Sequence, residues 1–155
     1  MNILFVGNEN VCRSPMAEAL LKKKFEKEKI NGIVDSAGFE SYMINEPPDP
    51  RAVKIGKAYG YEVTGKMRIF KKEDFDKFDK IFVMDTKNYN DVMELTKTDE
   101  QKNKVDYLLN MIENRGGSNI LPNPILHGEE NCHQVFKKLD EATDVIVEKV
   151  KKGNL

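Results

Sequence analysis

The stretch from Ile3 to Ser14 constrains the fold more than any other part of this 155-residue chain. Ile3-Leu4-Phe5-Val6 is a short apolar run without alternation, the mark of a strand buried on both faces, and Pro15 then opens a helical pattern. Between them stands Gly7-Asn8-Glu9-Asn10-Val11-Cys12-Arg13-Ser14. The first N–H groups of a helix have no intrahelical acceptor, and the helix dipole adds roughly half a positive charge there, so an anion suits this loop. The backbone of Asn8, Glu9, Asn10, Val11, Cys12, Arg13 and Ser14 is therefore a candidate phosphate cradle. Arg13 would add a planar fork that matches phosphate oxygens two at a time, and Asn8, Asn10 and Ser14 can tie the loop to itself. The loop has no nucleophile at its base, where Gly7 stands.

Further along, strands and helices alternate. Ala17, Leu20, Leu21 and Phe25 recur at helical spacing over Met16 to about Glu28. Ile33 to Ala37 reads as a second strand, residues 38 to 50 as a loop, and Pro50 to Gly60 as a helix with Asp49 as its N-cap and Gly60 as its stop. Lys80 to Met84 reads as a third strand, Asn88 to Thr96 as a helix, Val105 to Leu109 as a fourth strand, and Asn114 to Pro124 as a long loop. Val135, Phe136, Leu139, Ala142, Ile146, Val147 and Val150 lay one apolar stripe along a last helix from about Glu130 to Lys152. The expectation is one α/β domain over residues 1–155, a three-layer sandwich whose four-stranded parallel sheet carries helices on both faces. Ligands of such sheets bind outside the carboxyl ends of the strands, where the loop from Gly7 to Ser14 falls.

Charge and composition exclude several partners. Lys and Arg number 25 against 26 Asp and Glu, so no net field draws the chain to nucleic acid or membrane, and aromatic residues are too sparse for a base-stacking platform. No apolar run reaches the ~20 residues of a membrane span, so a soluble, cytoplasmic protein is expected. Cys12 and Cys132 lie far apart with no metal or disulfide spacing, and both read as free thiols that pack the interior. His127 and His133 read as surface residues without ligand partners, and neither a metal nor another cofactor is expected. The clusters Lys22-Lys23-Lys24 and Lys149 to Lys152 read as solvated helix faces.

A strand followed by Cys-x5-Arg-Ser and a helix is the signature loop of the low-molecular-weight protein tyrosine phosphatases, which this chain resembles with Gly-x5-Arg-Ser in that place. Pro15-Met16-Ala17-Glu18-Ala19, Asp35-Ser36-Ala37-Gly38, Pro47-Pro48-Asp49-Pro50-Arg51-Ala52 and Val83-Met84-Asp85 are similar to that family's motifs in order and spacing. The resemblance implies a loop-base thiolate that attacks phosphorus and an aspartate in an Asp-Pro loop that protonates the leaving oxygen. Gly7 occupies the nucleophile's position and Asn123, in Pro122-Asn123-Pro124, the acid's. Glycine cannot attack, and a carboxamide does not donate a proton as a carboxylic acid does. Cys12, directly before Arg13, is in the wrong register to attack; the family's cysteine there resembles a redox partner of the nucleophile.

By the same resemblance Ser36 belongs to a network that supports the loop, with Asn10. Tyr42 is a pocket wall, and Ile125 and Leu126 stand as aliphatic walls where the family has two tyrosines. Glu9 replaces a small residue, and Gly65 stands where a histidine is common. Departures clustered on one site point to loss of chemistry rather than to a single trapping substitution. Three readings follow: a pseudophosphatase that binds phosphate or a phosphotyrosine-containing protein without hydrolysis, a weak or altered phosphatase, or an interaction module whose anion site is unused.

Overall fold

Strand β1 (Ile3–Val6) lies inside a four-stranded parallel sheet of order β2-β1-β3-β4, with β2 at Val34–Ala37, β3 at Lys80–Val83 and β4 at Val105–Tyr107. The computed structural model describes residues 1–112, 118–122 and 129–155. Phe5 pairs with Ser36 on one side and with Phe82 on the other, so the two inner strands run flush and end together. Both faces of β1 are covered, and its side chains alternate between two cores. Ile3 and Phe5 pack with Leu20, Leu139 and Ile146, whereas Leu4 and Val6 pack with Phe70, Phe75, Phe78 and Val92. A run with no polar residue is what two apolar faces demand.

The helices are α1 (Arg13–Lys27), α2 (Pro50–Ala58), α3 (Asp74–Lys77), α4 (Thr86–Glu94), α5 (Asp99–Asn103) and α6 (Glu129–Lys152). Helices α1 and α6 bury their apolar stripes against the Ile3–Phe5 face, and Phe75 of α3 and Val92 of α4 cover the other. The three-layer α/β sandwich expected from the alternation is therefore the fold observed.

Local boundaries shift for identifiable reasons. Helix α1 starts at Arg13, ahead of the expected Met16, because Pro15 sits in the first turn, where its missing N–H costs nothing. Helix α4 starts at Thr86 rather than Asn88, since Asp85 is its N-cap and accepts from the Asn88 N–H at 2.9 Å. Asp49 caps α2 as expected, accepting from the Arg51 N–H at 2.8 Å. That helix ends at Ala58, and Gly60 follows with a φ of +84°. Strand β4 stops at Tyr107, short of Leu109, where the chain tightens into a 3₁₀ turn over Leu108–Met111. The short helices α3 and α5 leave no readable period in sequence, and a 3₁₀ turn at Ser41–Met43 breaks the expected loop after β2.

Two other expectations need correction. Lys24 is not on a solvated face: its side chain is only 12% exposed and joins α1 to α6 through Asp140 at 2.6 Å and Asp144 at 2.9 Å. Cys12 and Cys132 are free, buried thiols as expected, and the fold brings them together in one core. His133 is half-buried, with its ring against Tyr59 and its Nε2 hydrogen-bonded to the Tyr59 hydroxyl. Among the described residues no helix is long and apolar enough to cross a membrane.

Candidate functional site

The loop from Gly7 to Ser14 wraps a small, open concavity at the carboxyl end of β1. Its shape follows from three local constraints. Asn10 takes a left-handed φ of 54°, a conformation asparagine tolerates better than most residues, and its side-chain oxygen accepts from the Ser14 hydroxyl at 2.6 Å. The Asn8 carbonyl accepts from the N–H groups of Phe39 and Glu40 at 2.8 and 3.1 Å, which pins the loop to the chain leaving β2. Gly38 makes that approach feasible, because a Cβ there would lie 2.8 Å from the Asn8 carbonyl oxygen and 2.9 Å from the Asn10 Cβ. Neighbouring Asn88 is fully buried; with its amide oriented to satisfy its surroundings, it donates to the Val6 carbonyl and accepts from the Asn8 N–H at 3.1 Å.

Helix α1 receives no side-chain cap from Cys12. Among the described residues, none accepts a hydrogen bond from the backbone N–H groups of Glu9, Asn10, Val11, Cys12, Arg13 or Ser14. Six uncommitted donors thus belong to one concave loop at a helix N-terminus.

Arg13 is 5% exposed. Its Nη1 donates to Asp85 Oδ2 at 2.9 Å and to the Leu121 carbonyl at 2.7 Å. No described residue accepts from its Nε or Nη2. The guanidinium is held from behind by one nitrogen while two others are left for something else. Asp85 does double work, since Oδ1 caps α4 and Oδ2 holds Arg13.

The other expected site residues fall as follows. A Cβ at Gly7 would stand 3.1 Å from Ser14 Oγ, and the backbone there is not in the left-handed region, so the fold itself does not demand glycine. The Cys12 thiol lies in the core; the hydrogen-bonding thiol of Cys132 and burial push it far above its ordinary pKa, which keeps it protonated. Val11 is buried and its carbonyl accepts from the Asp49 N–H at 2.7 Å, joining the loop to α2. The Ser36 hydroxyl donates to Glu18 of α1 at 2.7 Å, so it reaches the helix that follows the loop. Tyr42 is 70% exposed, and the Glu9 carboxylate nearby is the main influence raising its phenol pKa. Asn123, Ile125, Leu126 and His127 lie outside the described residues.

Sequence reasoning attached no role to Asp85, Asn88, Lys87 or Leu121. Lys87 donates to Asn8 Oδ1 at 2.9 Å and sits beside Asp91 at 3.0 Å and Glu40 at 3.6 Å. A readable signal did exist for Asp85, which follows a strand and precedes a helical segment, as a cap must. For Leu121 there was none, because its contribution is a backbone carbonyl.

Residues 2–154 match the family model described as low molecular weight phosphotyrosine protein phosphatase. A Synechocystis protein named for the low-molecular-weight protein-tyrosine-phosphatases is 33% identical over 144 residues, spanning 92% of this chain and 91% of its own. The low molecular weight phosphotyrosine protein phosphatase of Schizosaccharomyces pombe is 32% identical over 142 residues, 90% of each chain. Among solved structures, a protein tyrosine phosphatase from Entamoeba histolytica with Hepes in its active site superposes with a TM-score of 0.93 at 34% identity, covering 100% of this chain and 99% of that one.

Proposed function

This chain belongs to the low molecular weight phosphotyrosine protein phosphatase family, and from that premise we propose that it is a pseudophosphatase, which binds phosphate or phosphotyrosine in the loop 7–14 and does not hydrolyse it. One observation carries the binding half. The loop holds six N–H groups with no acceptor among the described residues, around a buried guanidinium whose Nε and Nη2 have none either. Buried donors left unpaired cost about 1–3 kcal/mol each, so a ligand rich in acceptor oxygens is the partner this geometry calls for. A tetrahedral anion supplies such oxygens, and the dipole of α1 favours its charge. Hepes, found in the active site of the similar Entamoeba protein, is itself a sulfonate, which supports the same reading here.

The inactive half rests on what the side chains can do. Gly7 has no atom with which to attack phosphorus, and Asn123, by its place in Pro122-Asn123-Pro124, brings an amide where an acid is required. Cys12 does not replace the nucleophile, because its thiol is buried, protonated and engaged with Cys132. A missing nucleophile costs about 10⁶ in turnover in the serine-protease example of subtilisin, and a missing general acid roughly 10² to 10⁴. Binding gains from the same loss: a thiolate ~4 Å from a phosphate would repel it by about 1 to 4 kcal/mol per charge pair at effective dielectric constants of 80 to 20.

The test joins two measurements on the native chain. Millimolar phosphate should shift the backbone amide resonances of residues 8–14, and p-nitrophenyl phosphate should not turn over above a buffer control. Turnover that Arg13→Ala abolishes would overturn the inactive half. Phosphate binding that is absent, with Arg13→Ala indistinguishable from the native chain, would leave only an interaction module.

A further inference from the structure

The mouth of the loop carries a charge pattern opposite to its interior. Glu9 lines the concavity, is half-buried, and has no ion-pair or hydrogen-bond partner among the described residues. The cation that reaches the neighbouring Asn8 side chain, Lys87, is already engaged by Glu40 and Asp91. Arg13, the cation within the loop, is already opposed by Asp85. The loop therefore carries one carboxylate, Glu9, that neither Arg13 nor Lys87 pairs with, beside backbone N–H groups that have no acceptor among the described residues. A bare phosphate dianion is attracted by the second set and repelled by the first.

Resting on the phosphate-binding reading, we propose that the Glu9 rim selects a phosphotyrosine that has a lysine or arginine beside it in the same peptide. Such a ligand satisfies both zones at once: the phosphate takes the N–H groups and the free edge of Arg13, and the neighbouring cation takes the unpaired Glu9 carboxylate. Tyr42 fits the same reading. The residue is 70% exposed and lies near enough to Glu9 for the carboxylate to influence its hydroxyl, so its ring is available to the same cation or to its methylene stem. A peptide with glutamate in that position brings a like charge to Glu9 and is disfavoured, so selectivity arises from repulsion as well as attraction.

Three ligands test this by calorimetric titration: inorganic phosphate, a phosphotyrosine pentapeptide with lysines flanking the phosphoresidue, and the same peptide with glutamates. The native chain should prefer the lysine peptide over the glutamate peptide by about three- to fivefold or more at low salt, with the preference shrinking as salt rises. Glu9→Gln should erase most of that preference and tighten binding of inorganic phosphate. If phosphate binds but the two peptides bind alike, or if Glu9→Gln leaves the preference intact, the rim proposal falls and the phosphate-binding reading stands. If neither phosphate nor either peptide binds, both fall together.

Discussion

Arg13 and Asp85 meet at 2.9 Å, the first at the start of α1 and the second at the start of α4, across the carboxyl ends of β1 and β3. The pair does more than neutralise charge. It fixes the roll of the guanidinium, so that Nη1 is spent on Asp85 and the Leu121 carbonyl while Nε and Nη2 have no acceptor among the described residues.

Replacing Asp85 should therefore damage stability and binding together. Asp85→Ala removes an N-cap and leaves a buried guanidinium without its counterion, for a loss of about 2–4 kcal/mol, whereas Asp85→Asn keeps a capping oxygen and should lose about half of that. Urea denaturation of the two variants separates the terms. Phosphate affinity should fall in both, because Arg13 is no longer held in place.

Glycines 7 and 38 should respond differently to a methyl group. Gly7→Ala meets only the Ser14 hydroxyl at 3.1 Å and should cost less than about 1 kcal/mol. Gly38→Ala would bring Cβ within 2.8 Å of the Asn8 carbonyl oxygen and should cost about 2–3 kcal/mol while loosening the loop. Thermal melts of both variants, read with phosphate titrations, check the ordering. Equal costs would mean that the loop does not press on β2 as described.

Restoring chemistry should need two changes. Gly7→Cys alone should yield at most a slow or stalled enzyme, since Asn123 cannot protonate a poor leaving group. Adding Asn123→Asp should raise kcat on phenyl phosphate by roughly 10² or more. A single substitution that already matches the double would show that Asn123 does not occupy the acid's position.

Acid should weaken the start of α2 through Asp49. Burial pushes this carboxyl up, but hydrogen bonds and charge from Arg51 outweigh it and hold the pKa below its ordinary value. A carboxyl depressed in the folded state contributes stability that is present above its unfolded pKa, about 3.9, and is lost as pH falls through the lower folded value. The Asp49 side chain is largely covered while its partner Arg51 stays within reach of water, so the contribution should be about 1 kcal/mol. Asp49→Asn keeps a cap, and comparing its urea midpoints with those of the native chain at pH 5 and pH 3 should show a smaller loss on acidification.

Much of this protein was legible along the chain because the relevant interactions are local. The run Ile3–Val6, the loop and the start of α1 are contiguous, so the strand, the loop and the helix start with its unpaired N–H groups were readable without any distant contact. The Asp49 cap and the stripe on α6 were readable for the same reason, as was the alternation that implies a parallel sheet. Short helices such as α3 and α5 were not, since four or five residues hold less than two turns of pattern.

What only the tertiary structure decided is who stands behind the loop. Asp85, Asn88 and the Leu121 carbonyl reach Arg13 and Asn8 from segments more than seventy residues away, and no spacing rule connects them. The same holds for Cys12 against Cys132 and for Lys24 against Asp140, where α1 packs on α6. Sequence by itself determined which backbone N–H groups would lack an intrahelical acceptor, because that depends on neighbours along the chain. Packing determined which edge of Arg13 stays free and which carboxylate stays unpaired, because charges are matched through space.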